Sequence, residues 1–156
     1  MALFGLGTTY QKMGHNEEAR DVYAKLLSYN PTHREALNNF MALISEEAPA
    51  EAIAELEKME QQSPDFSPIP AQIGIIYSKQ GNYAAAAEKL ARALNLSPEN
   101  NAYKYNLAIA LDKLGQGEKA SELYVELITA SNAGEMIPGD VETIRNRVIF
   151  LSQKHP

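Results

Sequence analysis

Residues 67–100 read SPIPAQIGIIYSKQGNYAAAAEKLARALNLSPEN, and this stretch decides the fold. Its first half carries an apolar stripe at helical spacing that ends at Gly81 and Asn82, two residue types that favour a turn. Its second half carries another such stripe and ends before Pro98, where a helix has already stopped. The pattern predicts two helices joined by a turn. The residues of the two stripes are Ile73, Ile76, Tyr77, Ala86, Leu90, Ala93 and Leu94.

The same landmarks recur along the chain with a period close to 34 residues. Four alanines are spaced by 33, 34 and 34 residues, and three prolines by 33 and 34. These landmarks are Ala19, Ala52, Ala86 and Ala120, and Pro31, Pro64 and Pro98. Self-similarity at this period is typical of a solenoid built from helix-turn-helix units, in which no single unit buries its own apolar face.

These residues resemble the tetratricopeptide repeat family, and bacterial members of it in particular. The family pattern places a Leu followed by a small residue on the first helix, and an Ala followed by an aromatic residue or Leu on the second. The matching residues are Leu6, Gly7, Ala19 and Tyr23; Phe40, Ala52 and Leu56, with Met41 in place of the small residue; Ile73, Gly74, Ala86 and Leu90; and Leu107, Ala108, Ala120 and Tyr124. The resemblance implies an all-α, right-handed α-solenoid of four repeats.

The repeats divide the chain into segments that together form a single domain. We expect repeats at 1–33, 34–66, 67–100 and 101–132, a linker at 133–139, and a capping helix at 140–153 with Asp140 as its cap. A capping helix should have a polar outer face; the alternative is a helix that docks in a partner or in its own groove. Because Met1 falls inside the first helix of a repeat, we expect further residues to precede it.

Composition narrows the function classes. Hydrophobic residues make up 45% and charged residues 22% of the 156 positions, which is typical of a soluble globular protein. No apolar run is long enough to span a membrane, and no secretory signal is visible at the start. The net charge of −6, with scattered basic residues, argues against nucleic acid as a partner. The absence of cysteine leaves the compartment open, cytoplasmic or periplasmic.

In this family the first helices line a concave groove, and the resemblance implies that the groove holds a partner peptide or helix. The implied binding residues are Phe4, Thr8, Asn38, Ala42, Ala71, Ile75, Ser78, Lys79, Tyr105, Ile109 and Lys113. Ile75, Tyr105 and Ile109 have a second interpretation, in which they only fill space between neighbouring first helices. The family's clamp for an acidic carboxyl terminus is not expected, because its Lys, Asn and Arg positions are matched only at Asn39.

The sequence carries no pattern that predicts catalysis, a metal or a cofactor. His15, His33 and His155 lie in a turn, between repeats and in the tail, and none has a Ser or acid at a catalytic spacing. We therefore expect a non-catalytic scaffold that binds a protein. The alternatives are self-assembly into a homo-oligomer, motivated by an apolar first helix without an upstream neighbour, and an accessory domain of a larger envelope, secretion or pilus-assembly protein.

Overall fold

The computed structural model describes residues 2–154, and in that range the chain forms helices and no strand. The helices are α1 (Ala2–Lys12), α2 (Asn16–Tyr29), α3 (Arg34–Ile44), α4 (Pro49–Gln62), α5 (Pro68–Lys79), α6 (Tyr83–Leu96), α7 (Asn101–Lys113), α8 (Gly117–Asn132) and α9 (Val141–Lys154). Each predicted repeat therefore contains two helices, and α9 follows the predicted linker. The exact repeat boundaries remain a prediction.

The chain divides into two compact units, an N-terminal unit of residues 1–72 and a C-terminal unit of residues 73–156. The core of the N-terminal unit is formed by fully buried side chains of α2, α3 and α4, namely Tyr23, Leu27, Leu37, Phe40, Ile44 and Leu56. Within α2 and α3 these residues recur three or four positions apart, so each of these two helices buries one face.

The C-terminal unit has two linked apolar clusters. One joins α6 to α7 through Ala86, Leu90, Leu107 and Ala110. The other joins α7, α8 and α9 and contains Ala108, Ala120, Tyr124, Leu127, Ile144 and Leu151. Helix α7 thus packs on α6 with one face and on α8 with another, as expected for the first helix of a stacked repeat.

Small residues allow the two helices of a repeat to approach closely. A Cβ atom added at Gly74 would lie 2.6 Å from Leu90 Cγ and 3.2 Å from the Ala86 carbonyl oxygen. A Cβ atom at Gly7 would lie 2.6 Å from the ring of Tyr23. Gly74 therefore lies directly against α6.

Side-chain caps fix where several helices begin. Asn82 and Asn100 accept hydrogen bonds from the amides of Ala85 and Tyr103, at 3.3 and 3.1 Å. The Asp140 carboxylate accepts from the Thr143 amide and hydroxyl, both at 2.8 Å, which confirms the predicted cap of α9. Such caps satisfy amides that have no partner inside the helix.

Candidate partner-binding surfaces

The eleven groove residues predicted from the sequence are distributed over both units, and each unit is described separately. The N-terminal unit contains Phe4, Thr8, Asn38, Ala42 and Ala71, and the C-terminal unit contains Ile75, Ser78, Lys79, Tyr105, Ile109 and Lys113. Their exposure differs widely. Asn38, Ala42, Lys79 and Lys113 are exposed, whereas Ala71 is only 2% exposed and offers a partner almost no surface.

In the N-terminal unit, Phe4 is half-buried because it packs on neighbouring rings. Its ring stacks on that of His33 with centroids 5.0 Å apart and lies 6.1 Å from that of Tyr23. The Thr8 hydroxyl donates to the Gly5 carbonyl oxygen at 2.9 Å, within the same helix. Phe4 and Thr8 therefore take part in internal contacts, while Asn38 and Ala42 on α3 stay accessible.

In the C-terminal unit, three predicted residues come together in one cleft. Tyr105, Ile109 and Lys113 line a volume of about 280 Å³ beside α9, with Asp112, Tyr124, Thr143, Ile144 and Arg147. Ile109 and Ile144 are apolar, and the charged groups belong to Asp112, Lys113 and Arg147. Ile75, Ser78 and Lys79 do not line this cleft. An apolar surface beside a few polar groups is the usual composition of a ligand site.

An ion pair holds α9 beside this cleft. Arg147 Nε and Nη2 donate to Asp112 Oδ2 and Oδ1, both at 2.6 Å, and the side chain of Asp112 is only 12% exposed. The Tyr124 hydroxyl donates to Asp112 Oδ2 at 3.5 Å. Two parallel hydrogen bonds between guanidinium and carboxylate fix orientation as well as distance.

The pKa shifts of Tyr124 and Arg147 favour the protonation states that these hydrogen bonds require. Burial, together with the negative charge of Asp112, raises the pKa of the Tyr124 hydroxyl above its ordinary value. The hydrogen bonds to Asp112 raise the pKa of the Arg147 guanidinium. At neutral pH Tyr124 therefore remains a donor and Arg147 remains a cation, so both can stabilise the carboxylate.

Tyr105 also contacts the segment that leads into α9. A Cβ atom added at Gly139, which has a φ of +78°, would lie 2.9 Å from the Tyr105 hydroxyl oxygen. Ile137 packs on the same apolar cluster as Tyr105. Part of the Tyr105 surface predicted to bind a partner is thus covered by the chain itself.

Each unit contains a polar bridge that the sequence interpretation missed. In the N-terminal unit the Tyr23 hydroxyl donates to Gln11 Oε1 and accepts from Asn39 Nδ2, both at 3.0 Å. In the C-terminal unit the Tyr124 hydroxyl donates to Asp112 Oδ2, and the third residue, Arg147, donates to Asp112 and not to the tyrosine. Gln11 and Asp112 are 101 residues apart, as are Tyr23 and Tyr124, which is the length of three repeats. The repeat period could therefore have related the two bridges to each other. Asn39, which matches a position of the family's clamp for an acidic carboxyl terminus, is engaged in this bridge.

The histidines have ordinary structural contacts. His33 Nδ1 accepts from the Ala36 amide at 3.3 Å and caps α3, and His15 Nδ1 lies 3.2 Å from Glu18 Oε1. His155 lies outside the described residues. Within residues 2–154 no group of His, Asp and Glu side chains is arranged to hold a metal ion. No helix of the same range combines the length and apolarity of a membrane span.

Comparison with known proteins identifies the repeat. A tetratricopeptide repeat model matches residues 72–135, and a second one matches residues 1–33. No curated protein matches the chain in sequence.

Solved structures with a similar fold come from several bacteria. A MamA fragment from Desulfovibrio magneticus RS-1 is 19% identical, with a TM-score of 0.68 over 86% of this chain and 76% of that one. The thermophilic repeat protein TTC0263 of Thermus thermophilus is 20% identical, with a TM-score of 0.64 over 97% and 80%. A repeat protein from Parabacteroides merdae ATCC 43184 is 21% identical, with a TM-score of 0.68 over 97% and 58%. At these identities the likeness shows the fold, which confirms the predicted α-solenoid class.

Proposed function

The chain belongs to the tetratricopeptide repeat family, and on this premise we propose that it is a non-catalytic scaffold that binds a partner peptide or helix through its first-helix surfaces. Tetratricopeptide repeats are in general protein-interaction scaffolds.

One observation carries the proposal: the cleft beside α9 keeps part of the first-helix surface of α7 accessible. Ile109 and Lys113 line it from one helix, and Ile144 and Arg147 from another. The backbone of α7 is held by packing on both α6 and α8, so the cleft is largely formed before a partner arrives. A rigid surface costs little conformational entropy on binding.

The test is affinity capture of proteins from source cells, read out by mass spectrometry, with wild type and two variants. Ile109→Glu places a charge in the cleft. Val125→Glu is the matched control, because Val125 is 48% exposed on α8 and does not line this cleft. Circular dichroism first establishes that both variants are folded.

We expect a partner that wild type and Val125→Glu retain and that Ile109→Glu loses. A partner retained equally by all three would place binding elsewhere on the protein and refute the role of the cleft.

The partner should be a protein, and the net charge of −6 disfavours nucleic acid. The bacterial origin of the structural neighbours supports a bacterial source.

A second candidate function is self-association through α1. Leu6 is 43% exposed and Met13 is 62% exposed, so this region offers apolar surface to a second copy. Light scattering over a concentration series would reveal a mass that rises with concentration, and Leu6→Glu should abolish the rise. A monomer at every concentration excludes this candidate.

A further inference from the structure

The imidazole of His33 connects α1 to the first turn of α3. Its ring stacks on that of Phe4 of α1, with centroids 5.0 Å apart. Its Nδ1 atom accepts a hydrogen bond from the Ala36 amide at 3.3 Å and also lies 3.3 Å from Glu35 Oε2. The side chain is 25% exposed, so protons from the solvent can reach the ring. One nitrogen atom therefore faces both an N–H donor and a carboxylate.

These two neighbours require opposite protonation states of Nδ1. A neutral imidazole with its proton on Nε2 can accept from the Ala36 amide, whereas in the imidazolium both nitrogens are donors. Protonation thus removes the cap and turns the contact with Glu35 into a charge-assisted hydrogen bond. The Ala36 amide lies in the first turn, where a helix offers no carbonyl acceptor, and Ala36 is fully buried. Water can therefore replace the cap only if the first turn of α3 opens.

The charged groups around His33 favour this exchange of partners. Helix α1 contributes the uncharged ring of Phe4, and Tyr23 of α2 lies behind it, with ring centroids 6.1 Å apart. The neighbouring cation, Arg34, directs its guanidinium onto an aromatic ring 5.6 Å away. Within residues 2–154, Glu35 supplies the one carboxylate that lies within 4.0 Å of the imidazole. An imidazolium therefore meets a single anion, and its stack on Phe4 remains favourable as a cation–π contact.

Glu35 is also part of the accessible surface of α3. It stands three and seven residues before Asn38 and Ala42, so the three residues lie on one face of the helix, and all three are exposed. The Glu35 carboxylate already lies beside Nδ1, so no large movement is needed to form the ion pair. Protonation of His33 would therefore neutralise the negative charge at the beginning of this surface.

We propose that His33 is a pH-sensitive switch at the start of α3. The neutral ring caps α3 and leaves the Glu35 carboxylate as an anion on the surface that includes Asn38 and Ala42. The imidazolium releases the Ala36 amide, binds Glu35 and removes that negative charge. A histidine side chain ordinarily changes charge between pH 5 and 8, which sets the range of the switch. The switch needs no partner, so it stands apart from the function proposed for the cleft of the C-terminal unit.

The test is an NMR titration of the isotope-labelled full chain between pH 8 and pH 5. The ring nitrogens of His33 report its tautomer and protonation, the Ala36 amide proton reports the cap, and the Glu35 carboxyl carbon reports the ion pair. His33→Asn is the first variant, because asparagine caps a helix without titrating. His15→Asn is the matched control, since His15 also precedes a helix and lies 3.2 Å from a carboxylate but caps no amide.

We expect the Nε2–H tautomer of His33 at pH 8, and an upfield shift of the Ala36 amide proton with the same midpoint as the ring. The Glu35 carboxyl carbon should show a step at that midpoint, well above the pH at which a glutamate itself titrates. His15→Asn should keep both responses, and His33→Asn should lose both. A proton on Nδ1 at pH 8, a ring that stays neutral down to pH 5, or an Ala36 amide that does not follow the ring would overturn the proposal. So would survival of the Ala36 or Glu35 response in His33→Asn.

Discussion

The close approach of α5 to α6 makes Gly74→Ala an informative substitution. The added Cβ would lie 2.6 Å from Leu90 Cγ, and the Ala86 carbonyl oxygen at 3.2 Å belongs to backbone that cannot rotate away. Overpacking of this kind costs about 1–3 kcal/mol, while replacing glycine by alanine inside a helix contributes about 1 kcal/mol in the opposite direction. We expect a net destabilisation of about 1 kcal/mol from these two effects.

Gly5→Ala is the matched control, because Gly5 also lies inside a helix but has nothing within 4 Å of the added Cβ. Only the gain in helix propensity remains, so this variant should be more stable than wild type. Urea unfolding, monitored by circular dichroism, gives the free energy of unfolding of both variants. A change of about 1 kcal/mol moves the urea midpoint by roughly 0.5 M when this free energy falls by about 2 kcal/mol per M of urea. Gly74→Ala should cost less in a Leu90→Ala background. Equal stabilisation by Gly74→Ala and Gly5→Ala would refute the packing argument.

Three further predictions concern α9 and its connection. Asp112→Ala leaves the Arg147 guanidinium without its acceptor and should cost about 1.5–3 kcal/mol in urea unfolding; an unchanged midpoint would contradict it. The Thr143 amide and hydroxyl hold the pKa of the Asp140 carboxyl below its ordinary value of 3.8, so its stabilising effect is present at neutral pH and is lost as the pH falls below that value. The difference in thermal midpoint between wild type and Asp140→Asn should therefore shrink towards about pH 3, and a constant difference would argue against it. Gly139→Ala should destabilise more than Gly134→Ala, since both glycines have positive φ but only Gly139 would contact Tyr105; Tyr105→Phe should reduce the excess in the same unfolding assay.

Helix positions follow from the sequence because turn residues and apolar spacing are local. Residues 67–100 predict a second helix from Tyr83 to about Asn95, and α6 spans Tyr83–Leu96. The cap at Asp140 is equally local. The burial of Ala71 and the packing of Phe4 on His33 depend on tertiary neighbours, so a register borrowed from the family could not predict them. Likewise, the sequence predicts a polar outer face for the capping helix, but the apolar side chain of Ile149 on α9 is 55% exposed.

The polar bridges explain why some first-helix positions are available to a partner and others are not. A residue such as Asn39 or Arg147 donates its hydrogen bonds to the neighbouring repeat through a tyrosine or a carboxylate, and a partner that recruited it would leave a half-buried acceptor unpaired. Ile109 and Lys113 lie beside Asp112 along α7 without belonging to the bridge. The bridge thus fixes the helices, and Ile109 and Lys113 stand outside it. Specificity in the C-terminal unit should therefore depend on Ile109 and Lys113, whereas substitution of Asp112 or Arg147 should act through the position of α9.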